Sequence, residues 1–190
     1  HDASIGGYDY DVTKAKAFIA KSKYGAGDIT LAWDYIKAGA HEEIGLLLQS
    51  NLKAIGVDMK ITAEQWSTLS GNAAKAETAP HFFPVYNTAK YPTPDAYTYA
   101  MYHPVSHGQW QASAHYSDPK VSKLLEDARA TPDAAMRNAK YGKATKMIVD
   151  DAASLWVGYT IHRVALRDTV KNYENKGLMA FDLSVYNLRH

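Results

Sequence analysis

The sequence predicts an α/β domain in which helices cover a sheet. Two apolar runs of strand type, at residues 29–33 and 57–61, flank an amphipathic helix predicted over residues 41–55. Strand, helix and strand thus follow each other at the spacing of a βαβ crossover, which joins parallel strands through a helix. Further helical patterns later in the chain supply the layer that such a sheet needs.

Capping and turn residues mark the elements of the first half of the chain. Asp11 precedes a run with apolar residues at helical spacing and can accept a hydrogen bond from its first turn. Gly56 follows the helix over 41–55 and permits the turn that ends it. The apolar stripe of this helix consists of Ile44, Leu47, Leu48, Leu52 and Ile55. The other elements predicted here are a helix that runs from residue 12 and ends near residues 24–27, a helix over 66–76 and a strand over 81–86.

Residues 87–115 are predicted to be the least regular part of the chain. The segment contains Pro92, Pro94, Pro104 and Gly108, along with several tyrosines and histidines. A loop of this length is uncommon unless it has a function.

Two helices are predicted after this segment. The first begins at Asp118-Pro119 and the second at Thr131-Pro132-Asp133, because Asp is a favoured N-cap and Pro fits the first turn. A buried strand is expected over residues 153–164 and one more strand near residues 183–188. The apolar positions of the two helices are Val121, Leu124, Leu125 and Ala128, then Met136, Tyr141, Ala144, Met147 and Ile148.

The composition excludes several classes of function. The net charge is +1, from 21 basic and 20 acidic residues mixed along the 190-residue chain, so there is no basic block for a nucleic-acid backbone. No window reaches the ~20 apolar residues that a bilayer span needs. Cysteine is absent, which excludes disulfides, thiolate metal sites and a cysteine nucleophile together.

Several short motifs, in order along nearly the whole chain, resemble the extracellular solute-binding proteins of peptide and nickel ABC importers, family 5. The helix start at residues 10–18 is similar to the family pattern Y-D-P-x-K-A-K-x-L-L, and residues 48–57 are similar to I-Q-x-x-L-x-x-I-G-I. Residues 91–97 resemble Y-P-D-P-D-x-F. The remaining matches, to Y-x-D-P-x-V, A-R-x-T and R-x-x-x-Y, lie at residues 116–121, 128–131 and 137–141.

This resemblance implies a lobe of the type II periplasmic-binding-protein kind, with a mixed sheet covered by helices. Residues 1–162 would form the carboxy-terminal lobe of a two-lobe protein, and residues 163–190 a tail that returns to a missing amino-terminal lobe. The chain starts at His1 without an initiator Met, so we expect it to have been processed, cut or trimmed. The resemblance implies a periplasmic location, with a secreted precursor whose signal peptide is not in this chain. The resemblance also implies a small-molecule or peptide ligand, permease subunits of an ABC importer as partners, no catalysis and no cofactor.

Ligands of such proteins bind in the cleft between lobes, where closure buries most of their surface. In this lobe the edge of the cleft is expected at loops that follow strands. Candidate ligand-binding residues are aromatic side chains with a few polar groups among them: Lys90, Asn87, Trp110, Tyr86, Trp33 and Tyr35. Trp33 and Tyr86 adjoin predicted strands and could equally be core residues.

Lys90 stands where peptide-binding members of the family often carry an Asp that pairs with the amino terminus of the peptide. A lysine there would repel an ammonium group and attract a carboxylate or phosphate. The resemblance therefore implies a ligand that is anionic, blocked at its amine or not a peptide. The alternative is that Lys90 points to solvent, as most lysines do.

Two other functions stay open at this point. His103 and His107 have the spacing of a helical zinc site, with His115 nearby, and could serve a metal-dependent hydrolase. Pro104 directly after His103 disfavours the helix that such a site needs, and no His-Glu-x-x-His motif is present. The 14 tyrosines would also suit a protein-interaction domain.

Overall fold

The computed structural model describes residues 4–25, 27–88, 91, 93–159, 161 and 163–173. Its elements confirm the α/β class. Six helices and two strands occur in this part of the chain, with two short 3₁₀ turns at Pro104–Ser106 and Trp110–Ala112. In chain order they are α1 (Val12–Lys21), β1 (Thr30–Tyr35), α2 (His41–Lys53), β2 (Asp58–Ala63), α3 (Trp66–Ala73), α4 (Asp95–Tyr102), α5 (Pro119–Arg129) and α6 (Ala134–Asp150).

The sheet is the predicted βαβ unit. β1 and β2 are parallel, in a register that runs from Thr30 opposite Asp58 to Tyr35 opposite Ala63. Gly56, at φ 82°, provides the left-handed turn between α2 and β2. Trp33, Tyr35 and Met59 form the buried core between this sheet and α2.

The apolar stripe predicted for α2 is wrong at Leu47, which is 64% exposed. The helix is rotated so that His41 and Gly45 are its buried residues, and Leu48 and Leu52 are half-buried against the core of the sheet. Gly45 lets the helix approach the sheet, because a Cβ there would lie 2.6 Å from Nε1 of Trp33. Leu47 is therefore left at the outer rim of the helix.

The predicted strand over 81–86 is reduced to a single bridge. Phe82 pairs with β1 in the parallel sense: its N–H donates to Ala32 O at 2.9 Å, and its carbonyl accepts from Asp34 N at 3.1 Å. Pro80 and Pro84 lack the N–H groups that a longer ladder would need. Phe82 nevertheless places the chain after it beside the ends of β1 and β2.

A second core lies between α4, α5 and α6. Its centre is Val121, Leu125 and Ala128 of α5 against Tyr141, Ala144 and Ile148 of α6, with Tyr102 of α4 on top. The N-caps are those predicted: Asp118 accepts from Lys120 N and Val121 N, and Asp133 accepts from Met136 N. Met136, predicted as a core residue, is 61% exposed because it lies in the first turn of α6, before the contact with α5.

The segment 87–115 is more regular than predicted, since α4 and both 3₁₀ turns lie in it. Two of its prolines lie at the ends of these elements and not inside them: Pro94 precedes α4, and Pro104 begins the first 3₁₀ turn. The helix itself buries Asp95, Thr98 and Tyr102, spaced three and four residues apart.

The buried strand predicted over 153–164 is wrong in its described residues. They form no strand, and Trp156, Val157 and Tyr159 are 51%, 59% and 91% exposed. Among the described residues no strand lies beside this run to pair with it. The strand expected near 183–188 lies outside the described residues, and the boundary at residues 162 and 163 stays a prediction. No helix in the described ranges is long and apolar enough to cross a membrane.

Candidate functional site

The candidate site is the carboxyl edge of the parallel sheet. β1, β2 and the Phe82 bridge run in the same direction, so the chain leaves all three at one edge. In parallel α/β sheets this edge is where ligands bind, because the loops that follow the strands converge there. β2 leads into α3 at Trp66, and the Phe82 bridge leads into residues 83–88.

Three aromatic side chains from separate parts of the chain meet at this edge. The ring centroid of Trp110 lies 5.0 Å from Trp66 and 6.3 Å from Phe83, in edge-to-face orientation, and Trp66 and Phe83 are 6.1 Å apart. Trp66 is 43% exposed, and Phe83 and Trp110 are half-buried. This aromatic cluster of Trp66, Phe83 and Trp110 offers a partly open apolar surface with fixed geometry.

Tyr86 and Asn87 border the same edge. The Tyr86 hydroxyl accepts a hydrogen bond from Ala40 N at 3.2 Å, and its ring stacks on His41 at 4.8 Å. Tyr86 thereby covers the start of α2, yet half of its surface remains exposed. Asn87 is half-buried, and its Nδ2 lies 2.9 Å from Sδ of Met101 on α4.

Trp33 and Tyr35 lie beneath the edge. They are only 2% and 3% exposed, and Nε1 of Trp33 donates to His41 O at 3.1 Å. Burial, with the neighbouring Glu42 carboxylate, raises the pKa of Tyr35 above its ordinary value. The two side chains hold the sheet against α2, and a ligand contact by either stays a prediction. Lys90 lies outside the described residues, and its role also stays a prediction.

A buried carboxylate lies at the start of α4, in the chain that follows Asn87. Asp95 is 6% exposed and accepts from the hydroxyls of Tyr91 at 2.6 Å and Tyr141 at 3.0 Å. Nε of Arg129 lies 3.1 Å from the same carboxylate. The hydrogen bond to Asp95 raises the pKa of Tyr91, and burial together with that carboxylate raises the pKa of Tyr141 to about 12.

Arg129, the cationic partner of Asp95, also belongs to a stack of side chains. The Arg129 guanidinium lies 3.8 Å from the ring centroid of Tyr99, and His103 stacks on Tyr99 at 4.2 Å. Nε2 of His103 lies 3.2 Å from the Glu126 carboxylate, and its Nδ1 accepts from Val105 N at 3.2 Å. Both ring nitrogens of His103 are therefore engaged within the fold.

His107 and His115 form a pair whose ring centroids are 5.6 Å apart. Nε2 of His107 lies 3.0 Å from Tyr116 O, and Nε2 of His115 lies 3.2 Å from Ala73 O. A carbonyl oxygen only accepts, so each Nε2 carries the hydrogen and each Nδ1 keeps its lone pair for another group. The part of the chain that the structure describes contains no cluster of three or more metal-ligating side chains, and His103 does not join this pair.

One surface cavity lies away from this edge. It has a volume of about 360 Å³ and lies between α1 and Ile55, beyond the end of α2. Because α2 starts at the carboxyl edge and runs back along the sheet, its end is at the opposite edge. Polar and apolar side chains from α1 and the turn after it line this cavity, and none of Tyr86, Asn87 and Trp110 is among them.

Sequence reasoning missed Trp66, Phe83 and Asp95. A signal for the first was present, since Trp66 follows β2 within three residues and so had to lie at the carboxyl edge. Phe83 follows the Phe82 bridge in the same way. Asp95 belongs to the motif at residues 91–97, but its role was not visible, because two of its three partners, Arg129 and Tyr141, come from distant positions in the sequence.

The fold of the chain resembles part of several solved periplasmic binding proteins. Solved structures that resemble it include HbpA2 from Haemophilus parasuis, at TM-score 0.71 and 16% identity, covering 80% of this chain and 30% of that one. Another is the ABC transporter-associated periplasmic binding protein DppA from Helicobacter pylori in complex with the peptide STSA, at TM-score 0.68 and 23% identity, covering 80% and 31%. At these identities the likeness is one of fold.

Residues 1–109 match the family model described as "Bacterial extracellular solute-binding proteins, family 5 Middle". The chain belongs to this family. The chain is also 26% identical over 181 residues to the probable D,D-dipeptide-binding periplasmic protein DdpA of Escherichia coli (strain K12). That alignment covers 91% of the chain and 33% of the relative. The chain thus spans about a third of the length of this curated relative.

Proposed function

We propose that this chain is the carboxy-terminal lobe of a solute-binding protein that captures a small peptide-like solute for an ABC importer. The solute would lie against the carboxyl edge of the parallel sheet, on the aromatic cluster. The observation that carries the proposal is the meeting of Trp66, Phe83 and Trp110 at that edge in a chain of the family 5 fold. An amino-terminal lobe would close over the solute, and the permease subunits of the importer would receive it.

The chemistry of the edge suits a peptide-like solute. Half-buried aromatic faces take up the apolar parts of a ligand at little cost in side-chain entropy, since each ring is already held by its neighbours. Amides and hydroxyls beside them, such as those of Asn87 and Tyr86, can orient the polar groups. Periplasmic capture would follow from this role and from the location of the relatives.

Lys90 narrows the class of solute. A lysine in this position disfavours a free ammonium group and favours a carboxylate, a phosphate or a blocked amine. A charge-assisted hydrogen bond from Lys90 would contribute about 1.5–3 kcal/mol, so Lys90→Ala would lower the affinity about tenfold or more. An unchanged affinity would remove Lys90 from the site.

Native mass spectrometry of the protein, purified gently without refolding, tests the proposal. A co-purified peptide-like mass, or one anionic solute, supports it. The same preparation, stripped of its solute, is then titrated with D-alanyl-D-alanine and with its N-acetyl derivative. We expect the acetylated form to bind at least as tightly, because it lacks the ammonium group. A protein that carries no solute and binds neither probe would refute the peptide-like form of the proposal.

A second candidate function is the capture of a solute that carries a metal ion. The observation that favours it is the His107–His115 pair, whose Nε2 bonds to carbonyl oxygens leave both Nδ1 lone pairs available. Metal-ligating histidines usually have this outer bond to a carbonyl. Calorimetric titration with Ni²⁺ and free histidine, on the protein and on His115→Ala, tests it. Equal heats from both proteins would exclude the pair as a metal site.

A further inference from the structure

Tyr91 connects the carboxyl edge to the helical core. It lies between Asn87 at the edge and the start of α4, and 43% of its side chain is exposed. Its hydroxyl donates to Oδ2 of Asp95 at 2.6 Å. Its carbonyl accepts from Thr93 N at 2.8 Å, so the backbone turns sharply just before α4. The hydroxyl of this partly exposed tyrosine is thus bonded to a buried carboxylate.

Asp95 is fixed from the other side by two helices. Tyr141 of α6 donates to Oδ1 at 3.0 Å, and Arg129 of α5 places Nε 3.1 Å from the same oxygen. Tyr141 is 3% exposed and belongs to the helical core. Three side chains from three parts of the fold therefore meet at one carboxylate, which has a partner for each oxygen.

This carboxylate is not a helix cap. Pro94 is the N-cap of α4 and makes no side-chain bond, and the bonds of the Asp95 carboxylate run to Tyr91, Arg129 and Tyr141. An acidic residue in the first turn favours a helix through its charge alone. The three directed bonds are more than that role requires, and one of them leads out to the solute edge.

We propose that Asp95 is a positioning residue for the solute site, acting through Tyr91. The core side of the carboxylate is locked by Arg129 and Tyr141, and the Tyr91 hydroxyl transmits that position to the chain that borders the edge. Solute affinity then depends on a hydroxyl that stabilises a loop and is not itself required to touch the solute. This inference rests on the proposed function, because it assigns the bracing of that same site.

The structure offers a matched set of hydroxyl deletions to test this. We call the bonds of Asp95 to Tyr91, Arg129 and Tyr141 the brace. Tyr91→Phe removes the bond from Tyr91 to Asp95, and Tyr141→Phe removes the bond from Tyr141 to Asp95. Tyr97→Phe is the control: Tyr97 is on α4, 39% exposed, and the described residues show no hydrogen bond of its hydroxyl. All three changes keep the ring, so packing is preserved.

Two readouts are measured on the complete protein. The first is the dissociation constant for D-alanyl-D-alanine and for its N-acetyl derivative. The second, made without any probe, is the amide hydrogen exchange of Thr93 and Ala96, whose N–H groups are bonded in this turn. We expect Tyr91→Phe to weaken probe binding about tenfold, from the loss of a hydrogen bond to a charged group, and to speed exchange at Thr93. Tyr141→Phe should lower the melting temperature and change affinity less than about twofold.

The outcomes test the brace and the proposed function separately. If Tyr91→Phe and Tyr97→Phe have the same dissociation constants and the same exchange rates, the proposed role of Asp95 and Tyr91 is wrong. Faster exchange with unchanged affinity shows that the brace does not reach the solute, which also overturns the proposal. If the unaltered protein binds neither probe, the peptide-like form of the proposed function fails. The exchange rates then decide the brace by themselves, and an unchanged rate at Thr93 rejects it.

Discussion

At the scale of single residues, the contact between Gly45 and Trp33 decides how closely α2 lies on the sheet. Trp33 is 2% exposed, and a Cβ on residue 45 would lie 2.6 Å from its Nε1. We expect Gly45→Ala to lower the free energy of unfolding by about 1–3 kcal/mol, because neither the backbone of α2 nor the buried indole can move freely. Urea denaturation of the chain measures the change.

Gly71→Ala is the control for that substitution. Gly71 is also inside a helix, α3, and a Cβ there would meet nothing within 4 Å. The better helix propensity of alanine should raise stability by about 0.5–1 kcal/mol. Equal effects of the two substitutions, in sign and size, would contradict the close approach of α2 to Trp33.

Single residues also show where sequence reasoning reached its limit. Trp33 was assigned both to a strand and, through the family resemblance, to the ligand site, and the structure buries it under α2. Its burial depends on Gly45, twelve residues later, and no local pattern reveals which helix face will be turned toward a strand. Trp110 was a candidate because it lies in the irregular segment 87–115, while Trp66 and Phe83, which contact it, needed the parallel sheet to be known first.

At the scale of elements, α5 depends on its cap. The Asp118 carboxylate accepts from Lys120 N and Val121 N, both at 2.8 Å. Asp118→Ala should lower the free energy of unfolding by about 1 kcal/mol, since two N–H groups of the first turn lose their acceptor. Asp9→Ala, at an exposed position before α1, should change it by less than about 0.5 kcal/mol. A loss at Asp118 no larger than at Asp9 would show that the cap contributes nothing.

Helices were predicted better than strands for a physical reason. Asp11, Asp118 and Asp133 act on N–H groups two or three residues away, so the signal for each helix start is local. A strand needs a partner, and the apolar run over 153–164 has none in the described residues. The run over 81–86 has β1 beside it, but Pro80 before it and Pro84 within it limit the pairing to Phe82.

At the scale of the whole molecule, two buried tyrosines make stability depend on alkaline pH. Burial raises the pKa of Tyr102 to about 12, and burial with the Asp95 carboxylate does the same for Tyr141. An unfolded tyrosine loses its proton near pH 10, so the stabilisation is complete below about pH 10 and is lost progressively up to about pH 12. The free energy of unfolding should therefore fall over this range.

The variant Tyr102→Phe/Tyr141→Phe provides the comparison. Phenylalanine has no proton to lose, so the decrease in stability between about pH 10 and 12 should be smaller in this variant. Urea denaturation at several pH values in this range gives both slopes. Parallel curves for the two proteins would show that these hydroxyls are not protected in the folded chain.

The central claim is that the aromatic cluster holds the solute, and the affinity of tryptophan variants tests it most directly. Calorimetric titration with the solute identified by mass spectrometry compares the protein with Trp66→Ala, Trp110→Ala and Trp156→Ala. Trp156 is also half-exposed, but its ring packs on Tyr102 of the helical core. We predict that the first two variants bind about tenfold or more weakly, as for buried aromatic anchors, and that Trp156→Ala binds normally. Normal affinity in both Trp66→Ala and Trp110→Ala would contradict the account.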